Sequence, residues 1–575
     1  MESFILDEPK LYPLRIAMRR IFLLLPFAPL LMVNACTEEH ASFPAPLTTT
    51  EILVTSEAGA RMQVMPNVEF VEGQASGGTV ITVWPDSTKQ TIHGIGSSFT
   101  ESSAFVLAHL DPEKRNEVMR KIYGAEGANL TLTRTHIASC DFSVEGKYSY
   151  AEQEGDAELA TFTIAPDEEG FDRTKYPGIK YESYDLLPMI HEALAIKREQ
   201  GDDLKIIASA WTAPPWMKDI EDWFIPGSED NDWQGTGGEL KPEYEATYAD
   251  YLVKYLDAYK ANGVDVWGLT PVNEPHGNGG HWESMNFSAE SQSAFIKDHL
   301  GPQLAKSAHA DTKLLIFDQN RDGVEHWADV IFPDPEAAPH VFGMAVHWYE
   351  STFKVYEDSF DRVHAKYPRF EIIHTEGCID NLGGKPPGGV ADPAGYQESG
   401  WWQNDAWWWN ENATDWAYTV DWGFVNADDH PMYTPVHRYA RNIIVSLDHW
   451  LTGWVDWNVV LDKRGGPNHV DNFCGAPIMI DIETGEIHYT PVYWVLAQFS
   501  RTIRPGDKAV WTRLELDDGV EDGDLYACAT VDSGGTVAVQ VLNTAKEVVP
   551  IKLQVFQGFA KVEVPANSIQ TIQFR

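Results

Sequence analysis

The chain has 575 residues, 43% of them hydrophobic, enough apolar material for one large core or two separate ones. Lys and Arg number 43 against 86 Asp and Glu, a formal charge of −43 that repels phosphates and so excludes nucleic acid and anionic membrane surfaces as partners. A neutral substrate fits this balance, and the acidity itself reads as a solvated surface.

Residues 1–36 differ from all that follows. From Met18 they read MRRIFLLLPFAPLLMVNAC, a basic start, a short apolar core and a small-residue end, which is the pattern of an export signal rather than a membrane span. Residues 1–17 fit no signal, so Met18 is the expected start. Ala35-Cys36 resembles a bacterial lipobox, with Asn34 departing from it, and a lipidated Cys36 would tether the protein to the outer membrane. Plain cleavage without lipid is the alternative. The expected location is therefore outside the cytoplasm: periplasmic, outer-membrane-anchored or secreted. Residues 37–50, TEEHASFPAPLTTT, read as a linker.

Short alternating stretches follow, EILVTS, RMQVM and GTVITVW, divided by Gly, Asn and Pro, and they read as β-strands. The same texture returns near the C-terminus in DLYACATV, TVAVQVLN and VVPIKLQVF. Residues 51–90 and 503–575 are therefore expected to share one β-sandwich. Between them, over residues 91–502, apolar strands alternate with amphipathic helices. The strands are TIHGIG, NLTLTRTHIA, LKIIASAW, VDVWGLTPV, KLLIFDQ, VFGMAVHW, FEIIHTEG and TGWVDWNVV, and helices such as EYEATYADYLVKYLDAYKANG fall between them. Eight strands each followed by a helix predict an α/β fold, a (β/α)8 TIM barrel with the sandwich appended.

A TIM barrel builds its site at the carboxyl ends of its strands. Glu274, in TPVNEP, falls at the end of strand four, and Glu376, in IIHTEGC, at the end of strand seven. Two carboxylates facing each other across such a mouth, with tryptophans around them, suit glycoside hydrolysis, in which one protonates the leaving oxygen and the other attacks the anomeric carbon or activates water. Cys140, Cys378, Cys474 and Cys528 show no metal-binding spacing, so no structural metal or cofactor is expected and buried free thiols are the simplest reading. The sequon at Asn129 falls in an expected buried strand and is discounted as a glycan site.

The motifs GIGSSFTESSA, TRTHIASCDFS, SAWTAPPWMK, TPVNEP, GMAVHWY, HTEGC, GWVDWN and GGPNHVDNFCGAPI resemble glycoside hydrolase family 30, the family of glucosylceramidases and their bacterial relatives, in its order and spacing. The resemblance runs from about residue 90 into the C-terminal β-domain. It implies a retaining double displacement with Glu274 as acid/base and Glu376 as nucleophile. It also implies that Asn273 bonds the sugar 2-hydroxyl, that Trp211 and Trp457 pack on the sugar, that Tyr349 and Arg134 lie beside Glu376, and that His347 and Asn472 line the pocket. Glu101, in SFTESS, stands where glucosylceramidases are expected to carry an aspartate for sugar hydroxyls, one methylene shorter. After strand seven comes a Trp-rich stretch, GWWQNDAWWWNENATDWAYTVDWGF over residues 400–424, either a stacking platform for a further sugar or packing over the barrel rim.

The expected activity is thus an exported retaining β-glycosidase acting on β-glucosides, glucosylceramidase-like. Alternatives are an endo-β-1,6-glucanase, a β-xylosidase or a β-fucosidase of the same family, and more remotely a non-catalytic glycan-binding surface protein.

Overall fold

The computed structural model describes residues 47–231, 235–383, 392–411 and 434–575. The signal segment with Cys36, most of the linker and residues 412–424 of the Trp-rich stretch lie outside these. Eight parallel strands close a barrel: β1 Gly94–Ser97, β2 Leu132–Ile137, β3 Lys205–Ala210, β4 Gly268–Thr270, β5 Lys313–Asn320, β6 Gly343–His347, β7 Glu371–Glu376 and β8 Leu451–Asp456. Each expected strand falls on one of these. Closure brings β1 and β2 so near that a Cβ on Gly96 would sit 1.5 Å from the Leu132 carbonyl oxygen, so only glycine fits there. The eighth stretch is shorter than its apolar run suggests. Its end, Val460–Asp462, leaves the barrel and joins Ile478–Asp481 and Glu486–Tyr489 in a small separate sheet.

The helices answer to their sequence patterns. Glu245–Ala261 buries Tyr248, Leu252, Tyr255, Leu256 and Tyr259, a stripe at helical spacing that faces the barrel. Ala289–Phe295 opens with a capping box in which Ser288 and Ser291 satisfy each other's backbone N–H groups, and it then widens into a π-turn over Ile296–Leu300.

The two ends of the described chain meet in a ten-stranded sheet. Thr49–Ser56 pairs with Ser568–Phe574, and Thr79–Thr91 lies between Lys508–Glu515 and Val549–Val555. Helix Pro491–Thr502 joins this sandwich to the barrel. From the helix, Gln498 accepts a bond from Thr55 at 2.6 Å and donates to Thr571 at 2.9 Å, while Gln540 of the sandwich donates to Thr502 at 2.9 Å, all of them buried. The seam is a ladder of satisfied polar side chains inside apolar surroundings.

Candidate active site

The barrel interior is layered. Leu132, Ile207, Leu315, Ala345, Ile373 and Val455 fill its lower half. Because strand side chains alternate, the residues two positions further on also point inward, and these are Arg134, Ser209, His347, Thr375 and Trp457. A polar floor therefore follows directly on an apolar plug. β5 breaks the rule. Its register with β6 jumps from Ala345↔Phe317 to Val346↔Gln319, and Phe317 and Asp318 both take positive φ, 72° and 64°. This bulge turns Asp318 inward in place of Phe317, which packs outside on Trp327 at 5.0 Å between ring centroids. A second slip, Val346↔His374 to His347↔Glu376, lets both Thr375 and Glu376 reach the barrel mouth.

Asp318 is the hub of the floor. It accepts from Arg134 Nη2 at 2.8 Å, Ser209 at 2.9 Å, Thr270 at 2.8 Å, Thr375 at 2.7 Å and His347 Nε2 at 3.0 Å. Burial alone would raise its carboxyl, yet the Arg134 and His347 charges hold it well below the usual carboxylate range. Arg134 is wholly buried and also binds Glu376 Oε2 at 2.5 Å and Asn273 Oδ1 at 2.6 Å. Tyr349 donates its hydroxyl to the other oxygen of Glu376 at 3.1 Å. Burial, then the carboxylates of Glu274 and Asp318, push the Glu376 carboxyl above its ordinary value against the pull of His347 and Arg134. His347 bridges the pair to the hub, with Nδ1 3.3 Å from Glu274 and Nε2 on Asp318. Burial disfavours its charge, but Glu376 and Asp318 outweigh that and push it up to about 9.

Glu274 stands four residues beyond Thr270, in the loop at the carboxyl end of β4. Its φ of 48° turns the chain, and its N–H is pinned on the Asp318 carbonyl at 2.9 Å. Trp211 and Trp457 are stacked at 5.3 Å, with the Arg134 guanidinium 4.9 Å from the Trp211 ring. The Trp211 indole N–H has no partner among the described residues. Asn472 is half-buried on the loop after β8, held by Asn468 through its backbone.

Glu101 makes no hydrogen bond to this group among the described residues, and one of its buried carboxylate oxygens has no partner there. It opens helix Glu101–Ala108, its N–H bonds His136, and its carboxyl, pushed well up by burial and then by Asp185, lies among Ser143, Val144 and Asp185. The acidic neighbour of the pair is Asp141, five residues beyond His136 in SCDFS. It is buried, and burial followed by the charges of Glu376 and Glu283 pushes its carboxyl well up, with Glu274 adding to the effect. Beside it, Glu283 accepts from Ser139 at 2.7 Å and from His469 at 3.2 Å, tying the loop after β4 to the loop after β8. Sequence reading missed Asp318, Asp141 and this tie. The signal for Asp318 was present, a lone charge at the end of the apolar run KLLIF.

The described part of the Trp-rich stretch is packing. Trp401, Trp402, Trp408 and Trp409 are buried in one aromatic cluster with Tyr439 and Leu496. Cys140, Cys378, Cys474 and Cys528 are buried free thiols. Asn129 precedes β2 and accepts from Lys197 at 2.6 Å. Among the described residues, Glu274, His347 and Glu376 bring one potential ligand atom each within 4.8 Å of one another. Arg134 already neutralises Glu376, and a protonated His347 donates rather than ligates, so this floor carries its own cations.

The model of the glycosyl hydrolase family 30 TIM-barrel domain matches residues 92–385 and 420–503, and that of the family's β-sandwich domain matches residues 512–572. Lysosomal acid glucosylceramidase of Mus musculus is 30% identical over 526 residues, covering 91% of this chain and 88% of its own. Endo-1,6-beta-D-glucanase of Neurospora crassa is 25% identical over 426 residues, 73% of this chain and 72% of its own. The crystal structure of SrfJ from Salmonella typhimurium superposes with a TM-score of 0.72 at 24% identity, over 91% of this chain and 99% of that one, a likeness of fold. With a closed eight-stranded barrel, a β-sandwich and two glutamates at the barrel mouth, the chain belongs to glycosyl hydrolase family 30 and is a glycoside hydrolase.

Proposed function

We propose that the protein is an exported, retaining β-glycosidase that cleaves β-glucosides by double displacement, with Glu376 as nucleophile and Glu274 as acid/base. The observation that carries this reading is the spacing of the pair, an oxygen of each carboxylate within 4.8 Å of the other. Retaining enzymes hold their carboxyls about 5–5.5 Å apart, whereas inverting ones leave about 6.5–9.5 Å for a water.

The surrounding groups suit each step. Arg134 and Tyr349 each take one oxygen of Glu376 and aim the carboxylate at the anomeric carbon. When Glu376 spends its charge on the glycosyl bond, Arg134 keeps Asp318 as a counter-ion and is not stranded. Glu274 gives its proton to the leaving oxygen and then takes one from the incoming water. Because Arg134 occupies the Asn273 carbonyl oxygen, that side chain presents its NH2 to the sugar, where a 2-hydroxyl would accept it. The unpartnered Trp211 N–H is a further donor for a hydroxyl.

A glucosylceramidase-like preference is supported by the likeness to the mouse enzyme over nearly the whole chain. A second reading, endo-β-1,6-glucanase, is favoured by the Neurospora relative. β-Xylosidase and β-fucosidase activity belong to the same proposal as narrower alternatives. Export, with lipid on Cys36, rests on the basic, apolar and small-residue order from Met18.

Wild type and Glu376→Ala should be assayed on 4-nitrophenyl β-glucoside, glucosylceramide and a β-1,6-glucan. Rescue of Glu376→Ala by azide, with an α-glucosyl azide as product, is the expected outcome. A wild-type product of inverted configuration would overturn the mechanism, and the preferred substrate decides between the two readings.

A further inference from the structure

The outer face of the sandwich carries aromatic side chains that the barrel does not use. In strand Thr79–Thr91, buried Ile81 and Val83 alternate with outward Val80, Thr82 and Trp84. On one side Trp511 lies opposite Trp84 and Arg513 opposite Thr82, while on the other Gln554 lies opposite Thr82 and Val555 opposite Val83. Phe556 follows at the level of Trp84. Phe556, Trp84 and Trp511 thus form a row across three neighbouring strands, 40%, 39% and 51% exposed. Trp84 and Trp511 are the two tryptophans among the exposed large hydrophobic residues of the described chain, whose other indoles are covered to a greater degree.

Between Trp84 and Phe556 opens a recess of about 320 Å³, walled by Arg513, Glu515, Gln554 and Gln74. Buried Gln554 holds its inner wall, and an exposed ion pair forms its rim. Arg513 lies 5.5 Å from the Trp84 ring and donates to Glu515 at 3.0 Å. Gln554 accepts from Ala75 N–H at 2.6 Å and donates to the carbonyls of Phe556 and Gly558 at 3.0 Å each. Trp511 is steadied by Lys89, 5.0 Å from its ring, and by an edge contact with Trp450 at 6.2 Å.

From this arrangement we infer that the sandwich face is a second binding site, for a neutral β-glucan chain held apart from the barrel. Indole faces pack on the C–H faces of pyranose rings, and the exposed Gln74 amide, Arg513 guanidinium and Glu515 carboxylate at the rim pair with hydroxyls. Strand neighbours stand about 4.8 Å apart, a spacing on the scale of one sugar ring, so the row can follow consecutive residues of a chain. The charges in the recess cancel as the Arg513–Glu515 pair, and the chain's −43 disfavours anionic polymers and lipids, so the occupant is neutral and polyhydroxylated. A protein partner would want a continuous apolar centre, which this pair interrupts. The inference rests on the glycosidase reading above and deepens it toward polymeric substrates: a glucan caught on the sandwich raises its own concentration at the barrel.

Affinity electrophoresis in gels containing soluble β-1,3-, β-1,4- or β-1,6-glucan tests it on wild type, Trp84→Ala/Trp511→Ala and Glu376→Gln. Wild type and Glu376→Gln should be retarded by at least one glucan, and the double variant should bind about tenfold more weakly. Its kcat/KM on 4-nitrophenyl β-glucoside should match wild type, which also shows that it has folded, while its rate on the retarding glucan falls. Equal retardation of wild type and double variant, or no retardation on any glucan by a wild type that cleaves the aryl glucoside, overturns the inference and leaves the glycosidase reading intact. Failure of wild type on every glycoside overturns that reading instead. A wild-type dimer that the double variant converts to monomer would mark the row as a protein interface and refute the glucan site.

Discussion

Two aspartates, both wholly buried, sit in opposite halves of this barrel's electrostatics. Asp318 in the floor of the mouth faces Arg134 and His347, whereas Asp167 in the helical shell accepts from three phenols, Tyr148 at 3.2 Å, Tyr150 at 2.7 Å and Tyr259 at 2.6 Å. Both are richly hydrogen-bonded, yet their carboxyls move in opposite directions. Asp318 is held well below the usual range, while burial pushes Asp167 up to about 6 in spite of its phenols. The charge of the partners decides, because neutral donors only partly replace the water that burial removes.

The comparison can be broken most forcefully at Asp318. Asp318→Asn leaves two buried cations without their shared anion, and a loss of about 3–5 kcal/mol is expected in denaturant unfolding, together with loss of activity. A change below about 1 kcal/mol would mean that Glu376 alone can neutralise Arg134 and His347. Asp167→Asn should cost less, about 1–3 kcal/mol at low pH, since its partners are neutral.

The same pair separates in its pH dependence. Asp167 titrates above the ordinary value of about 3.9, so its stabilising contribution is full below about pH 4 and is lost as the pH rises through 6. The melting temperature of Asp167→Asn, below that of wild type at pH 4, should therefore approach it by pH 7. Asp318 has the reverse sign, its contribution full above about pH 4 and lost as the pH falls, so the deficit of Asp318→Asn should shrink only on the acid side. His347, raised to about 9, adds stability that is full below about pH 6.5 and lost as the pH rises through 9, and melting scans from pH 7 to 10 should show this alkaline loss. The smallest effects should come from single neutral donors. Tyr259→Phe should cost about 1 kcal/mol, and Thr375→Val, one of five donors on an aspartate already held by cations, about half of that. An effect of Thr375→Val larger than that of Tyr259→Phe would reverse the order of partners drawn above.

Much of this was legible in the chain. Apolar runs bounded by turn residues marked all eight barrel strands, and the motifs around Glu274, Glu376, Arg134 and Tyr349 named residues that the fold does bring together. What stayed hidden depends on backbone detail or on distance in sequence. Asp318 points inward only because one extra residue at Phe317–Asp318 reverses the alternation of β5, and strict period-two reading assigns it to the wrong face. Asp167 draws its phenols from positions 148, 150 and 259, a set no local pattern unites. Asp141 was passed over because it sits in a motif read for its cysteine, and only the fold brings its carboxyl under the charges of Glu376 and Glu274.

The polar ladder of Gln498, Thr55, Thr571, Gln540 and Thr502 has a consequence for how the molecule comes apart. Parting the sandwich from the barrel would exchange these buried bonds for bonds to water and expose the apolar surface that surrounds them, which is where most of the cost lies. The two halves should accordingly melt in a single cooperative transition, and a barrel expressed without its sandwich would be insoluble rather than a portable catalyst.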